Sequence, residues 1–230
     1  RIYWNAPTRE DDVAAQIALI QHVISSHGQG LVIAPDQSLA LITPIRRAMA
    51  SGLPTVVIGS RLPVQAGGKL SYILNDEDAG GRIAAQRVGL LLEGKGSVAI
   101  LGVNPDIAGI MERARSFERY LAENDPEIHV VEKRMGSFNV PHEEQAAEET
   151  LKANPRLNAI VGLMGASTRG ALAAIEGNPA YGSVRVIGFD PDAMGFSSAN
   201  LDSLVVENTR EMGARAVSLM AKATPEASES

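Results

Sequence analysis

Short apolar runs alternate with longer stretches whose apolar positions recur every three or four residues, and the alternation runs the length of the chain. The short runs have the length and β-branched content of strands, and the longer stretches have the period of amphipathic helices. Residues 2–4 read as a first strand. They lead to a helix over 11–26, in which Val13, Ile17, Ile20 and Ile24 share a face, Asp11 or Asp12 caps the start and Gly28 follows the end. A strand at 31–34 leads to a helix over 38–51, stopped by Gly52 and Pro54. Strands at 55–58 and 71–74 precede a helix over 79–93, which ends at Gly94-Lys95-Gly96. A strand at 98–101 leads to a helix over 110–124, and a strand at 128–133 to a helix opened by Pro141, a favoured first-turn residue. A strand at 159–163 leads to a helix over 167–176 with Ser167 as its cap. Strands at 185–189 and 204–206, a helix over 209–222 and a disordered tail complete the reading.

Strands alternating with helices predict an α/β fold with parallel sheets of the doubly wound kind. In such sheets a ligand binds outside the carboxyl ends of the strands. Polar residues recur at those ends: Asn5, Asp36, Ser60-Arg61, Asn75-Asp76, Asn104, Asp190 and Glu207, with Phe138 beside them. One such residue is loop chemistry, whereas a ring of them is a ligand site.

Composition narrows the function by exclusion. The 230 residues carry a formal charge of −6 with no clustered Lys or Arg, so a nucleic-acid footprint is missing. With no cysteine, disulfides, thiol catalysis and zinc–thiolate sites are excluded. No apolar stretch is long enough to read as a membrane span, and no signal-peptide pattern opens the chain, which reads as mature or trimmed. Gly94-Lys95-Gly96 lies after a helix and before a strand, the wrong order for a phosphate-binding loop. His22, His27, His129 and His142 have no metal-ligand spacing and read as solvent-facing. No Gly-x-Ser-x-Gly elbow is present, and no motif pairs carboxylates for hydrolysis. The expectation is therefore a binding protein with no catalytic residue, no metal and no cofactor.

Several stretches resemble the periplasmic sugar-binding proteins of the ribose/galactose type, which serve ABC importers. They are Asp11-Asp12-Val13-Ala14-Ala15-Gln16-Ile17 with Leu31-Val32-Ile33-Ala34-Pro35, then Gly52-Leu53-Pro54-Thr55-Val56-Val57, then Asn75-Asp76 with Ala79-Gly80 and Gly94-Lys95-Gly96. Glu112-Arg113 with Phe117, Asn154-Pro155 and Val186-Ile187-Gly188-Phe189-Asp190 continue the series. Their order and spacing cover nearly the whole chain.

The resemblance implies the type I periplasmic-binding-protein fold: two Rossmann-like lobes with parallel sheets that close on a ligand. Lobe one would be residues 1–75 plus 208–230, and lobe two residues 76–207. Against the family, the first strand and helix have no counterpart here, so lobe one is expected to be incomplete. In the family that strand lies between those represented by 2–4 and 31–34. The gap it leaves is expected to be filled by a further segment or by a second copy of the chain.

The resemblance also assigns roles. Arg61 stands where the family places an arginine on sugar hydroxyls, with Ser60 replacing an aspartate beside it. Arg113 matches a second ligand-binding arginine, Phe138 an aromatic that stacks on the sugar ring, and Asp190 the aspartate of the Gly-Phe-Asp motif. Glu207 takes a polar hinge position, Met164 replaces a common asparagine, and Asp76 lines the same region. The chemistry is coherent on its own terms. Charged planar groups grip hydroxyls through paired, charge-assisted hydrogen bonds, and an aromatic face covers the C–H surface of a sugar ring. The implied ligand is a sugar or polyol, the implied partner an ABC-transporter permease, and the implied location periplasmic or extracytoplasmic. The alternative is the effector-binding domain of a lactose-repressor-type regulator, which would be cytoplasmic. Glu93-Gly94-Lys95-Gly96 follows the transport-protein pattern and not the Leu-Gly-His common in regulators.

Overall fold

The computed structural model describes residues 2–9, 12–189 and 197–223. Its elements run α1 (Val13–Ser25), β1 (Leu31–Ile33), α2 (Ile42–Ala50), β2 (Thr55–Gly59), β3 (Leu70–Leu74), α3 (Glu77–Leu91), β4 (Lys95–Val103) and α4 (Ala108–Asn124). They continue β5 (Glu127–Met135), α5 (Val140–Ala153), β6 (Ala159–Gly162), α6 (Gly165–Glu176), β7 (Arg185–Phe189), β8 (Leu201–Val205) and α7 (Thr209–Ala223). The order is the α/β alternation that the apolar pattern predicts.

The chain divides into two compact units. The first holds Arg1–Asn75, Asp106–Gly109 and Asn208–Ser230, and the second Asp76–Pro105 and Ile110–Glu207. The first unit has a three-stranded parallel sheet in the order β1-β2-β3. Strand residues alternate between sheet faces. Leu31, Ile33 and Val57 join Ile20 of α1, Ile45 and Ala48 of α2, and Leu53, Leu62 and Leu70 in one buried cluster. α7 packs along β1, β2 and β3, with Met212 and Ala216 buried.

The second unit has a five-stranded parallel sheet in the order β5-β4-β6-β7-β8. Ala99, Leu101, Ile160 and Val186 face a cluster supplied by Ala147 and Leu151 of α5 and Leu172 and Ile175 of α6. Val98, Ile100, Val161 and Ile187 point the other way and are equally inaccessible, so both faces of this sheet are covered. On that second side α3 contacts β7 and β8. Gly81 brings α3 against the backbone of α4 at Arg113, where a Cβ would collide. A sheet buried on both faces reads as continuous apolar sequence, as β6 does.

Three readings of the sequence are corrected. Residues 2–4 form no strand; Ile2, Tyr3 and Trp4 are 74%, 77% and 86% exposed. The apolar run is there, but a strand needs a neighbour to satisfy its backbone, and among the described residues β1 pairs only with β2. The second helix begins at Ile42 rather than residue 38, because residues 38–41 turn first. Ser167 is not the cap of α6. Met164 is, and Ser167 sits a turn inside, its Oγ accepting from the Met164 N–H at 3.2 Å and donating to the Met164 carbonyl at 3.0 Å.

Candidate functional site

Because every strand of the second unit is parallel to its neighbours, all its carboxyl ends lie along one edge. β5 delivers Phe138, β6 delivers Leu163 and Met164, β7 ends at Phe189, and β8 leads to Glu207. α3 starts at the same boundary with Asp76 and Glu77.

Arg113 organises this edge. It lies on α4 between Ile110 and Phe117 on the buried stripe, and only 5% of it is exposed. Its Nε donates to Glu77 Oε2 at 2.7 Å, and its Nη2 approaches the same oxygen at 2.6 Å. Nη2 also donates to Glu207 Oε1 at 2.6 Å, and Nη1 to the Leu163 carbonyl at 2.5 Å. The guanidinium carbon stands 4.1 Å from the centroid of the Phe189 ring, a cation–π stack. A guanidinium is removed from water only with partners of this quality. The cluster ties α3, α4, β6, β7 and the end of β8 to one side chain.

The other expected site residues are placed as follows. Glu207 is half-buried, its carboxylate turned to Arg113. Met164 is buried at the start of α6. Asp76 is exposed and caps α3, its carboxylate accepting from the Ala79 N–H at 2.8 Å. Phe138 is half-buried in the bend between β5 and α5. Asp190 lies outside the described residues. Ser60 and Arg61 belong to the first unit, directly after β2. Ser60 is half-buried; Arg61 is exposed, with its guanidinium 5.5 Å from the centre of the Tyr72 ring. Tyr72 donates to the Val64 carbonyl at 2.6 Å. Burial pushes its hydroxyl pKa up, against the opposing pull of the Arg61 cation.

Reading the sequence missed Glu77 and Phe189. Glu77 looks like an ordinary first-turn acid favoured by the helix dipole. The available signal was Arg113 itself, an arginine on an apolar stripe, which demands a buried counter-charge. Among the described residues, no group of three or more His, Cys, Asp or Glu could hold a metal ion. No described helix is long and apolar enough to cross a membrane.

The family model described as "periplasmic binding protein domain" matches residues 2–225. The chain is similar to the ribose import binding protein of Bacillus subtilis, with 28% identity over 89% of this chain and 62% of that one. It is also similar to the D-ribose/D-allose-binding protein of Pseudomonas aeruginosa, with 24% identity over 79% of this chain and 57% of that one. It thus spans about three-fifths of the length of these two relatives. Among solved structures, a carbohydrate transporter solute-binding protein from Agrobacterium radiobacter in complex with D-arabinose superposes with a TM-score of 0.83. The two share 26% identity over 95% of this chain and 77% of the other. A solute-binding protein from Agrobacterium vitis with bound D-fucose gives a TM-score of 0.87 at 22% identity, over 96% of this chain and 78% of that one, a likeness of fold alone.

Proposed function

We propose that this chain, which belongs to the periplasmic binding protein domain family, is the sugar-binding part of an ABC-importer solute-binding protein that works outside the cytoplasm and catalyses no reaction. The observation that carries this reading is the strand-end edge built on Arg113, on a chain whose named relatives bind ribose, allose and arabinose. The relatives give no support to a regulator.

In this reading the residues that bind the ligand are Arg113, Glu207, Asp76, Phe138, Asp190, Met164, Ser60 and Arg61. Phe138 covers one face of the ring, and the charged groups meet hydroxyls at its rim. Arg113 is already neutralised by Glu77 and Glu207, which suits a neutral polyhydroxylated ligand over an anionic one. Ser60 and Met164 offer less hydrogen bonding than the groups the family commonly has there, which shapes the choice among sugars. The partner is the permease of the importer, which receives the loaded protein.

A thermal-shift screen of D-ribose, D-allose, D-arabinose, polyols, amino acids and purines tests the reading, because a ligand that binds only the folded state raises the melting temperature. A rise with a sugar or polyol is the expected result. A response to amino acids or purines alone would reject it.

A further inference from the structure

The side chain of Glu143 is 1% exposed, although the run His142-Glu143-Glu144-Gln145 reads as the polar face of a surface helix. Its Oε1 accepts from the Ser137 N–H at 2.6 Å and stands 3.3 Å from the Ser137 hydroxyl. The exposed His142 ring, through Nδ1, lies 3.3 Å from the same oxygen. Its Oε2 is equally buried and has no hydrogen-bond partner among the described residues. Gly170 of α6 closes over it; a Cβ there would come within 2.6 Å of the Glu143 backbone and Cβ.

A carboxylate so placed is costly. An apolar side chain of similar size would fill the space without the desolvation penalty. Packing therefore gives no reason for an acid at this position. Its one short hydrogen bond does: it holds Ser137, the residue before Phe138. The Ser137 hydroxyl in turn accepts from the Asn139 N–H at 3.3 Å, and the Asn139 side chain caps α5 through the His142 N–H at 3.1 Å. One residue earlier, the Gly136 N–H donates to the Val103 carbonyl at 2.9 Å. Residues 136, 137 and 139 are all pinned by hydrogen bonds, while Phe138 stays half-exposed among them.

We propose that Glu143 is a positioning residue for ligand binding: its buried carboxylate fixes the backbone at Ser137 so that the Phe138 ring is held ready to stack on the ligand. This rests on the sugar-binding reading above. Glu143 touches no ligand and acts only through Phe138.

The test is a double-mutant cycle in the full-length protein, read by calorimetry with the tightest-binding sugar or polyol of the thermal-shift screen. Glu143→Met, which keeps the length and removes the acceptor, should weaken binding by about tenfold; it also leaves the Ser137 N–H without its acceptor and should lower the melting temperature modestly, with the protein still folded at the temperature of the titration. Glu143→Gln, which keeps an acceptor for Ser137, should restore most of the affinity. In a Phe138→Ala background, Glu143→Met should add no further loss, since its effect passes through the missing ring. Amide exchange at 137–139 should quicken in Glu143→Met. Undiminished affinity in Glu143→Met, the same loss with and without the Phe138 ring, or unchanged exchange would each overturn the proposal. If the unmodified protein binds no sugar or polyol of that screen, the functional reading fails, and this inference falls with it.

Discussion

The two units make the same parallel βαβ architecture from unequal material. The second has five strands, both faces covered, and a buried arginine whose donors reach into three other segments of the unit. The first has three strands, one of only three residues, and its β1 leaves Val32 41% exposed. Its expected site arginine, Arg61, is exposed over Tyr72. A wide, doubly covered sheet can hold charge away from water because many elements share the cost of orienting it. Around the narrow sheet the buried polar side chains, Gln16 and Thr55, are uncharged, and the expected site arginine stays at the surface, where a charge is worth little alone. The same residue type is thus a structural keystone in one unit and a replaceable contact in the other.

The strongest way to break this contrast is to remove the keystone. Arg113→Ala removes the buried guanidinium that bonds both Glu77 and Glu207 and should destabilise the second unit by about 3–5 kcal/mol, read as a shifted urea midpoint. Arg61→Ala should change stability by less than about 0.5 kcal/mol. Equal effects of the two substitutions would refute the contrast.

A second test asks whether binding follows the same division. Phe138→Ala should weaken sugar binding about tenfold or more, from the loss of an aromatic face worth roughly 1.5 kcal/mol or above. Because the ring is half-exposed, unfolding should change much less. A large stability loss with intact binding would place Phe138 in the core instead.

A third test sharpens the electrostatic side. Arg87 grips Asp202 with two hydrogen bonds of 2.6 Å, joining α3 to β8. That hydrogen bonding holds the Asp202 carboxyl pKa below its ordinary value. A depressed carboxylate contributes stability above its unfolded pKa and loses it as pH falls through the folded one. Asp202→Asn should therefore lower the melting temperature by roughly 2–4 °C near neutral pH. The difference should close as the pH drops below the usual carboxylate range. A gap that persists in strong acid would show that the pair acts through packing.

The smallest effect belongs to the start of the chain. Trp4→Ser should leave stability within about 0.5 kcal/mol, since Trp4 is 86% exposed. A loss of several kcal/mol would mean that this segment is buried in solution.

The order of strands and helices was legible because parallel α/β sheets write themselves as buried apolar runs between amphipathic periods. The three early misreadings share one cause: local pattern carries no information about partners. Residues 2–4 have the composition of a strand but no strand beside them, and Ser167 resembles a cap but sits a turn too late. The strand-end rule brought out Phe138 and Glu207 as site candidates, and Arg113 and Met164 came from the family pattern. What holds Arg113 was not legible. Glu77 and Glu207 lie 36 and 94 residues away, and nothing local distinguishes them from surface acids. Glu143 was hidden in the same way, inside a run of polar residues whose exposure differs from one position to the next.

The discontinuous first unit bears on the timing of synthesis. The second unit is almost unbroken in sequence and is complete once Glu207 has left the ribosome. The first unit must wait for α7, which packs on β1, β2 and β3 but is encoded after the whole of the second unit. At about 5–20 residues per second, the faces of β1–β3 that α7 will cover stay open for roughly ten seconds after β3 emerges. The amino-terminal third of the sequence is therefore the last to close, and it is the stretch a chaperone would meet first. Limited proteolysis of stalled nascent chains in which Glu207, but not α7, has cleared the exit tunnel should cut the 1–75 region freely and spare the second unit. Release of α7 should protect both.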